Sequence, residues 1–260
     1  MSDLDLIVEA AREAGDLALK MQTSGLRIER KSDGTPVSDG DLAVDGLLSD
    51  RLRRARPGFG WLSEESAGDP DRLAAETLFI VDPIDGTRAY IRHKPWWVVS
   101  IAVVAQGRPV AGVVHAPVLR ETYAAARGRG ARLNGVDIAA SPRAALEGCR
   151  MLADPQLLSR PEWPEPWPPM QVEVRNAVAL RVAQVASGAF DATIALSSKA
   201  EWDIAAAALI AEEAGALATD HQGRAFRFNT PSAKARSLVC AAQPLHELIL
   251  ARTSPIDLGA

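Results

Sequence analysis

Leu78-Phe79-Ile80-Val81-Asp82-Pro83-Ile84-Asp85-Gly86-Thr87 passes from four apolar residues straight into a turn that carries two carboxylates. The apolar run reads as a short buried strand that ends abruptly at Asp82-Pro83 and delivers a loop. Asp82 and Asp85 lie three apart on a turn stiffened by Pro83, so both side chains and the Ile84 carbonyl can face one point. Gly86 removes the side chain where backbone must approach a ligand, and Thr87 opens the next helical turn, whose free N–H groups attract phosphate. The same residues also fit an ordinary strand-to-turn junction built from Pro and Gly.

Outward from this stretch the chain divides in two. Toward the N-terminus, Leu4, Val8, Ala11, Leu17, Ala18 and Met21 share one helix face. A turn-rich stretch, Lys31 to Gly40, precedes a second helix marked by Leu42, Leu47, Leu48 and Leu52, which ends before Pro57 and has Asp41 in its first turn. Strands are expected at Val98 to Val104, Pro109 to His115 and Glu121 to Ala125, with a tight hairpin turn at Asn134-Gly135. After Ser141-Pro142 the pattern changes to short strands alternating with alanine-rich helices at Ala177 to Ser187 and Asp203 to Ala214, the latter stopped by Gly215. The expected organisation is therefore an α+β lobe over residues 1–140, carrying most of the candidate ligands, and an α/β lobe over residues 141–260 that supplies Asp203. Arg160 to Met170 is too rich in Pro and Trp for a regular helix and reads as a surface loop. Its two tryptophans either line a substrate entrance or simply pack the loop.

Composition removes several classes. With 47% hydrophobic and 24% charged residues, the 260-residue chain has ordinary globular usage, which excludes disordered, collagen-like and coiled-coil readings. The formal net charge is -4, and the main basic cluster, Arg51 to Arg56, falls in a helical pattern and reads as a solvated helix end. No nucleic-acid partner is expected. Cys149 and Cys240 lack metal-ligand spacing and read as reduced, buried thiols. No apolar run reaches the roughly 18 to 20 residues that span a bilayer, and the amphipathic, acidic N-terminus is unlike a signal peptide, so a cytoplasmic protein without a membrane partner is expected. His93, His115, His221 and His246 show no mutual spacing for a metal site or a nucleophile relay, and no serine-hydrolase elbow or P-loop is present.

Two further segments carry candidate chemistry. Glu64 and Glu65 in Leu62-Ser63-Glu64-Glu65-Ser66 are either a solvated surface pair or a source of one metal ligand that also accepts a hydrogen bond from an attacking water. Asp203, after Trp202 and before an alanine-rich helix, is an N-cap by default, and a metal ligand is compatible with that role. Convergent carboxylates and carbonyls are the oxygen ligands that Mg²⁺ prefers. Metal ions suit phosphate monoesters in particular, whose hydrolysis needs accelerations of up to roughly 10²¹.

In their order along the chain, Ser63-Glu64-Glu65-Ser66, Asp82 to Thr87 and Trp202-Asp203-Ile204-Ala205-Ala206, followed by Glu213-Ala214-Gly215, resemble the inositol monophosphatase superfamily of Mg²⁺-dependent, Li⁺-sensitive phosphatases. Lys31 to Ser38 leading to Asp41, and Gly128 to Gly135, extend the resemblance over nearly the whole chain. It implies the layered αβαβα sandwich of sugar phosphatases, an α/β class fold, with the site between the lobes. It also implies two or three Mg²⁺ ions. Glu64, Asp82 and the Ile84 carbonyl would hold one, and Asp82, Asp85 and Asp203 a second, with Glu64 helping to place a third. Thr87, oriented by Asp41, would activate the attacking water, and the Gly86 and Thr87 N–H groups would hold phosphate oxygens. Related enzymes are often dimers, so a homodimer is a further implication.

The sequence also departs from that pattern. Inositol-specific members place a glutamate shortly before the Trp-Asp element, where Ala195 and Leu196 stand here. The phosphate-side Gly-Ser or Gly-Thr loop is replaced by Arg175-Asn176-Ala177-Val178-Ala179-Leu180-Arg181, which has no glycine. Ser197, Ser198 and Lys199 form a small cationic set suited to a second phosphate, and Pro109 to Pro117 resembles the bacterial 3'(2'),5'-bisphosphate nucleotidases. Asp85, Gly86, Thr87, Ser198, Lys199 and Arg175 are accordingly the candidate substrate residues. The expected substrate is a small phosphate ester, a 3'(2'),5'-bisphosphate nucleotide before inositol 1-phosphate. The same motifs are compatible with a fructose-1,6-bisphosphatase-like sugar phosphatase and with a non-catalytic regulatory member of the fold.

Overall fold

The computed structural model of the chain describes residues 1–32, 34–66 and 70–258. Helix α1 (Asp3–Ser24) begins with a capping box in which Ser2 and Asp5 each hydrogen-bond the other's backbone N–H. Strands β1 (Ile28–Arg30) and β2 (Pro36–Ser38) pair antiparallel, and α2 (Asp39–Ala55) repeats the capping box with Ser38 and Asp41. The expected turn-rich stretch from Lys31 to Gly40 thus contains a paired strand and the start of a helix, and Asp33 within it lies outside the described residues. Nor is the arginine-rich end of α2 merely solvated. Arg51 forms ion pairs with Glu9 and Glu13, and Arg56 with Asp3 at 2.8 Å, tying α2 to α1.

A seven-stranded sheet follows in sequence order: β3 (Gly60–Ser63), β4 (Thr77–Asp85), then, after the short helix α3 (Thr87–Ile91), β5 (Val98–Ala105), β6 (Arg108–Ala116), β7 (Glu121–Ala126), β8 (Ala131–Leu133) and β9 (Val136–Ile138). Only the β3–β4 pairing in this sheet is parallel. Asn134 and Gly135, both at positive φ (52° and 85°), make the turn between β8 and β9. Alternate residues of the central strands enter different cores. Phe79, Val81, Val99, Ile101 and Val113 pack under α1 and α2, while Leu78, Ile80, Val98, Val104 and Val114 pack on the opposite side.

The second half contributes β10 (Arg150–Leu152), α4 (Pro155–Leu158), β11 (Gln171–Glu173), α5 (Val178–Ala186), β12 (Ala192–Ala195), β13 (Lys199–Ala200), α6 (Glu201–Glu213), β14 (Ala216–Thr219), β15 (Lys234–Ala235), β16 (Leu238–Ala242) and α7 (Leu245–Thr253). Five of these strands form a mixed sheet in the order β11-β10-β12-β16-β14. Helices α5 and α6 are sandwiched between the two sheets, and α7 covers the outer face of the smaller one. The layers run α, β, α, β, α, as the resemblance implied.

Helix α6 can sit this close to the larger sheet because both surfaces are small. A Cβ on Gly112 of β6 would meet the Ala206 carbonyl oxygen at 2.8 Å and its Cα at 3.1 Å. Gly112→Ala is therefore expected to destabilise the protein by about 1–3 kcal/mol through overpacking, read as a lower urea midpoint with an unchanged m-value.

In the Pro-rich loop, the Trp163 indole N–H donates to the Leu157 carbonyl at 2.8 Å, and the ring packs edge-on against Trp167 with centroids 5.1 Å apart. Cys149 and Cys240 are buried and free, with thiols pushed up to about 12 chiefly by burial. His115, His221 and His246 are buried and bonded to Thr122, Ser237 and Thr219, while His93 is exposed, so all four are structural or surface residues. Among the described residues no helix is long and apolar enough to cross a membrane.

Candidate active site

Strand β4 does not stop at Asp82-Pro83. It continues to Asp85, with Asp82 opposite Ser100 and Asp85 opposite Val98, and the register shifts between them. Pro83, which has no N–H to give a ladder, occupies that irregular step. The bend turns two acids inward together, and the Asp82 carboxylate closes it by accepting the Ile84 N–H at 3.0 Å. Gly86 is needed on two counts. Its φ is +96°, and a Cβ there would lie 2.8 Å from the Trp96 carbonyl oxygen.

Thr87 follows as the first residue of α3, its hydroxyl 3.1 Å from Asp41 Oδ1 and 3.2 Å from the Ile84 carbonyl. Asp41 is held rigidly, because its other oxygen accepts from the Ser38 N–H at 2.8 Å and the Ser38 hydroxyl at 2.6 Å. The capping box of α2 thus aims a carboxylate at Thr87. Burial raises the pKa of that carboxylate, and the bonds from Ser38 and Thr87 oppose the rise.

Asp203 completes a cluster. One carboxylate oxygen each from Asp82, Asp85 and Asp203 lie within 4.8 Å of one another. Asp203 is not the N-cap of α6, contrary to the default expectation. Ala200 holds that position, and Asp203, three residues on, reaches back to accept the Ala200 N–H at 3.2 Å. Asp85 has a second duty that the sequence does not signal. Its Oδ2 accepts the Ala179 N–H at 2.6 Å, capping α5, whose own N-cap Ala177 offers no acceptor side chain.

Burial, reinforced by the neighbouring carboxylates, pushes Asp82 and Asp85 well above the usual acid range, and burial with the charge of Glu64 pushes Asp203 up to about 7. Three close, desolvated carboxylates form a hard, all-oxygen donor set. That set fits a divalent cation of the Mg²⁺ type, whose charge would offset their repulsion.

Glu64, at the end of β3, lies outside the 4.8 Å cluster. Lys31 bridges it to Glu65, with Nζ 2.8 Å from an oxygen of each. The Glu65 side chain is only 6% exposed and is pushed up to about 7 by burial, so the pair is not a solvated surface pair. Lys31 itself falls in a stretch whose composition marks only a turn, and nothing local points to a partner 33 residues away.

The substrate-side candidates surround the cluster unevenly. The Lys199 ammonium is half-buried and bonded to Ser197 Oγ at 2.7 Å; burial lowers its pKa, and the charges of Asp203 and Asp85 oppose the fall. Ser198 is exposed and its hydroxyl is tied to the Ala235 carbonyl, away from the acids' hydrogen-bond network. The Arg175 guanidinium stacks over Phe190 (4.7 Å) and Trp96 (5.9 Å) and pairs with Glu173 at 3.1 Å. Trp96 is also the residue whose carbonyl would crowd a Cβ at Gly86, so one residue contacts both Arg175 and the Gly86 turn. Ala195 is buried and Leu196 half-buried, so neither offers an acceptor to a polyol.

A profile of the inositol monophosphatase family matches residues 2–257. The chain is 36% identical over 233 residues to a histidinol-phosphatase of Mycobacterium tuberculosis, covering 85% of this chain and 88% of that protein. It is 28% identical over 242 residues to a 3'(2'),5'-bisphosphate nucleotidase of Aggregatibacter actinomycetemcomitans, covering 86% of each. The structure of an IMPase from Thermotoga maritima superposes with a TM-score of 0.84 at 27% identity, covering 96% of both chains.

Proposed function

The chain belongs to the inositol monophosphatase family and is a phosphomonoesterase, and from that premise we propose that it hydrolyses a 3'(2'),5'-bisphosphate nucleotide at the Asp82–Asp85–Asp203 cluster. Asp82, Asp85, Asp203, the Ile84 carbonyl and, once released by Lys31, Glu64 would hold two or three Mg²⁺ ions. Mg²⁺ so placed supplies charge neutralisation for the phosphate and acidifies water. The chain's own residues do the rest. The Thr87 hydroxyl donates to Asp41, which leaves its lone pairs to accept a hydrogen bond from water and orient that water in line with phosphorus; as the water attacks, its proton passes to Thr87 while the Thr87 proton passes to the Asp41 carboxylate. Gly86 and Thr87 N–H groups hold phosphate oxygens, and Gly86 lets the backbone come that close. In this reading residues 1–140 form the lobe carrying the water-activating groups, and residues 141–260 form the lobe that reads the rest of the substrate.

The observation that carries the substrate assignment is the pairing of a cation with apolar neighbours. The Lys199 ammonium lies within the electrostatic reach of Asp203 and Asp85, whereas the side chains of Ala195 and Leu196 cannot accept hydrogen bonds from a polyol. A second phosphate gains from Lys199, and an inositol ring gains nothing from Ala195. Phosphate release in Mg²⁺ from 3'-phosphoadenosine 5'-phosphate and from inositol 1-phosphate tests this. The nucleotide is expected to be turned over with a kcat/KM at least about ten-fold higher, and Lys199→Met is expected to narrow the gap by raising KM for the nucleotide. Faster hydrolysis of inositol 1-phosphate would overturn the substrate assignment, and no Mg²⁺-dependent release from any ester would overturn the catalytic one.

A further inference from the structure

Thr87 and Asp41 belong to different elements, so the 3.1 Å between them depends on how α3 sits against α2. A five-residue helix has too few backbone bonds to hold its own place. We propose that Tyr90, one turn along α3 from Thr87, is a positioning residue that sets this separation by seating its phenol in the notch left by Gly40. This role rests on the catalytic reading of Thr87 and Asp41, whereas the fit between Tyr90 and Gly40 stands apart from it.

Tyr90 is held at both ends. Its hydroxyl donates to the Ala18 carbonyl at 2.7 Å, and its own carbonyl accepts from Gln22 Nε2 at 2.7 Å. Ala18 and Gln22 lie one turn apart on α1, so a single face of that helix grips α3 by side chain and by backbone. The ring is completely buried and meets Trp97 edge-on, with centroids 4.8 Å apart. Burial raises the pKa of the phenol, and the charges of Asp41 and Asp39 add to the rise, so the hydroxyl stays a donor.

The α2 side of the contact has no slack. A Cβ on Gly40 would stand 2.6 Å from the Tyr90 hydroxyl oxygen and 2.9 Å from Cε1. Gly40 is buried in the first turn of α2, where alanine would favour the helix more, and the phenol it admits accounts for the glycine. Its neighbour in sequence is Asp41. The capping box aims the Asp41 carboxylate, and the seat of Tyr90 sets how near α3 brings Thr87 to it. Asp82, Asp85 and Asp203 lie on β4 and α6, outside this strut, so disturbing it should spare metal binding.

Four variants test the assignment, with 3'-phosphoadenosine 5'-phosphate and inositol 1-phosphate as substrates and the faster of the two read. Gly40→Ala pushes Tyr90, and Thr87 with it, away from Asp41. Its kcat is expected to fall about ten-fold or more, toward the roughly 100-fold that a 1 Å misplacement can cost. KM should move less than about three-fold, and the Mg²⁺ increment in melting temperature should not change, because the disturbed pair acts in the transition state. Tyr90→Phe removes the atom nearest the added methyl group. Combined with Gly40→Ala it is expected to raise kcat about two-fold or more above that of Gly40→Ala alone, the lower end of coupling for residues in contact. A merely structural defect would instead be deepened by the second change. Gln22→Met loosens α3 without touching Gly40 and is expected to lower kcat about five-fold, the scale of one hydrogen bond. A folded Gly40→Ala with unchanged kcat, or a double variant no faster than Gly40→Ala, overturns the proposal. Should Gly40→Ala fail to fold, unchanged kcat in both Tyr90→Phe and Gln22→Met overturns it instead. Should the unmodified chain cleave neither ester, the catalytic reading fails, and urea midpoints still decide the strut. Gly40→Ala should then lower the midpoint less in the Tyr90→Phe background than in the unmodified chain, and an equal or larger fall overturns the fit.

Discussion

Asp82→Asn is expected to reduce Mg²⁺-dependent phosphate release by well over the roughly 10–100-fold typical of losing an outer-shell partner of a metal ligand, while making the metal-free protein more stable. Both effects follow from one change of charge. The asparagine amide keeps the shape and an oxygen that can accept the Ile84 N–H, so the bend in β4 survives. What disappears is a buried acid whose ionised form is opposed by burial and then by the charges of Glu64, Asp85 and Asp203. Relief of that repulsion is worth on the order of 1 kcal/mol for each pKa unit removed. The check is a pair of measurements on one sample, phosphate release with Mg²⁺ and thermal melting in EDTA. Retained turnover would remove Asp82 from the site, and an unchanged melting temperature would show that the acids do not repel one another.

The second large effect is stabilisation by the metal. Free Mg²⁺ at 100 times its dissociation constant should stabilise the fold by about 2.7 kcal/mol, a rise of roughly 5–10 °C in melting temperature for a chain of this length. Its dependence on pH has a defined sign. Asp203 has a folded pKa of about 7 against an ordinary value of 3.8, so between these pH values the metal-free folded state binds more protons than the unfolded chain. Stability from this group is complete below about 3.8 and is lost as pH rises through about 7. Asp82 and Asp85 are shifted in the same direction. The EDTA-treated protein should therefore melt lower at pH 8 than at pH 6, and the Mg²⁺ increment should grow over the same interval. An increment that is flat or shrinks with pH would mean that the acids are not the binding groups.

Much of this architecture is legible in local pattern. The 3.6-residue spacing from Leu4 to Met21, the Asn134-Gly135 turn and the Gly215 stop all rest on short-range physics, and each stands where expected. Asp41, Thr87, Asp82 and Asp85 are likewise found from local pattern and from the order of motifs. What escapes is set by contacts distant in sequence. The extension of β4 to Asp85 depends on Ser100 and Val98 across the sheet. The Lys31 bridge to Glu64 and Glu65, the Arg51 clasp on α1 and the hydrogen bond from Ala179 to Asp85 join residues 33 to 94 positions apart. Asp203 sits one helical turn deeper in α6 than an N-cap would, because an acidic residue reaching back from N3 and one serving as N-cap leave nearly the same mark in a sequence.

The hydrogen bond between Asp85 and α5 bears on how such a protein can change over evolutionary time. Asp82 answers only to its own turn and the acid cluster, and an amide serves the turn equally well. Asp85 answers to the cluster and also to the buried, otherwise uncapped first-turn amide of a helix in the other half of the chain. A descendant that abandoned catalysis could therefore shed Asp82 early at little cost, but it would keep an acceptor at position 85 for as long as it kept its shape. Erosion of this site should be ordered, and the order is written in which carboxylate also has a structural employer.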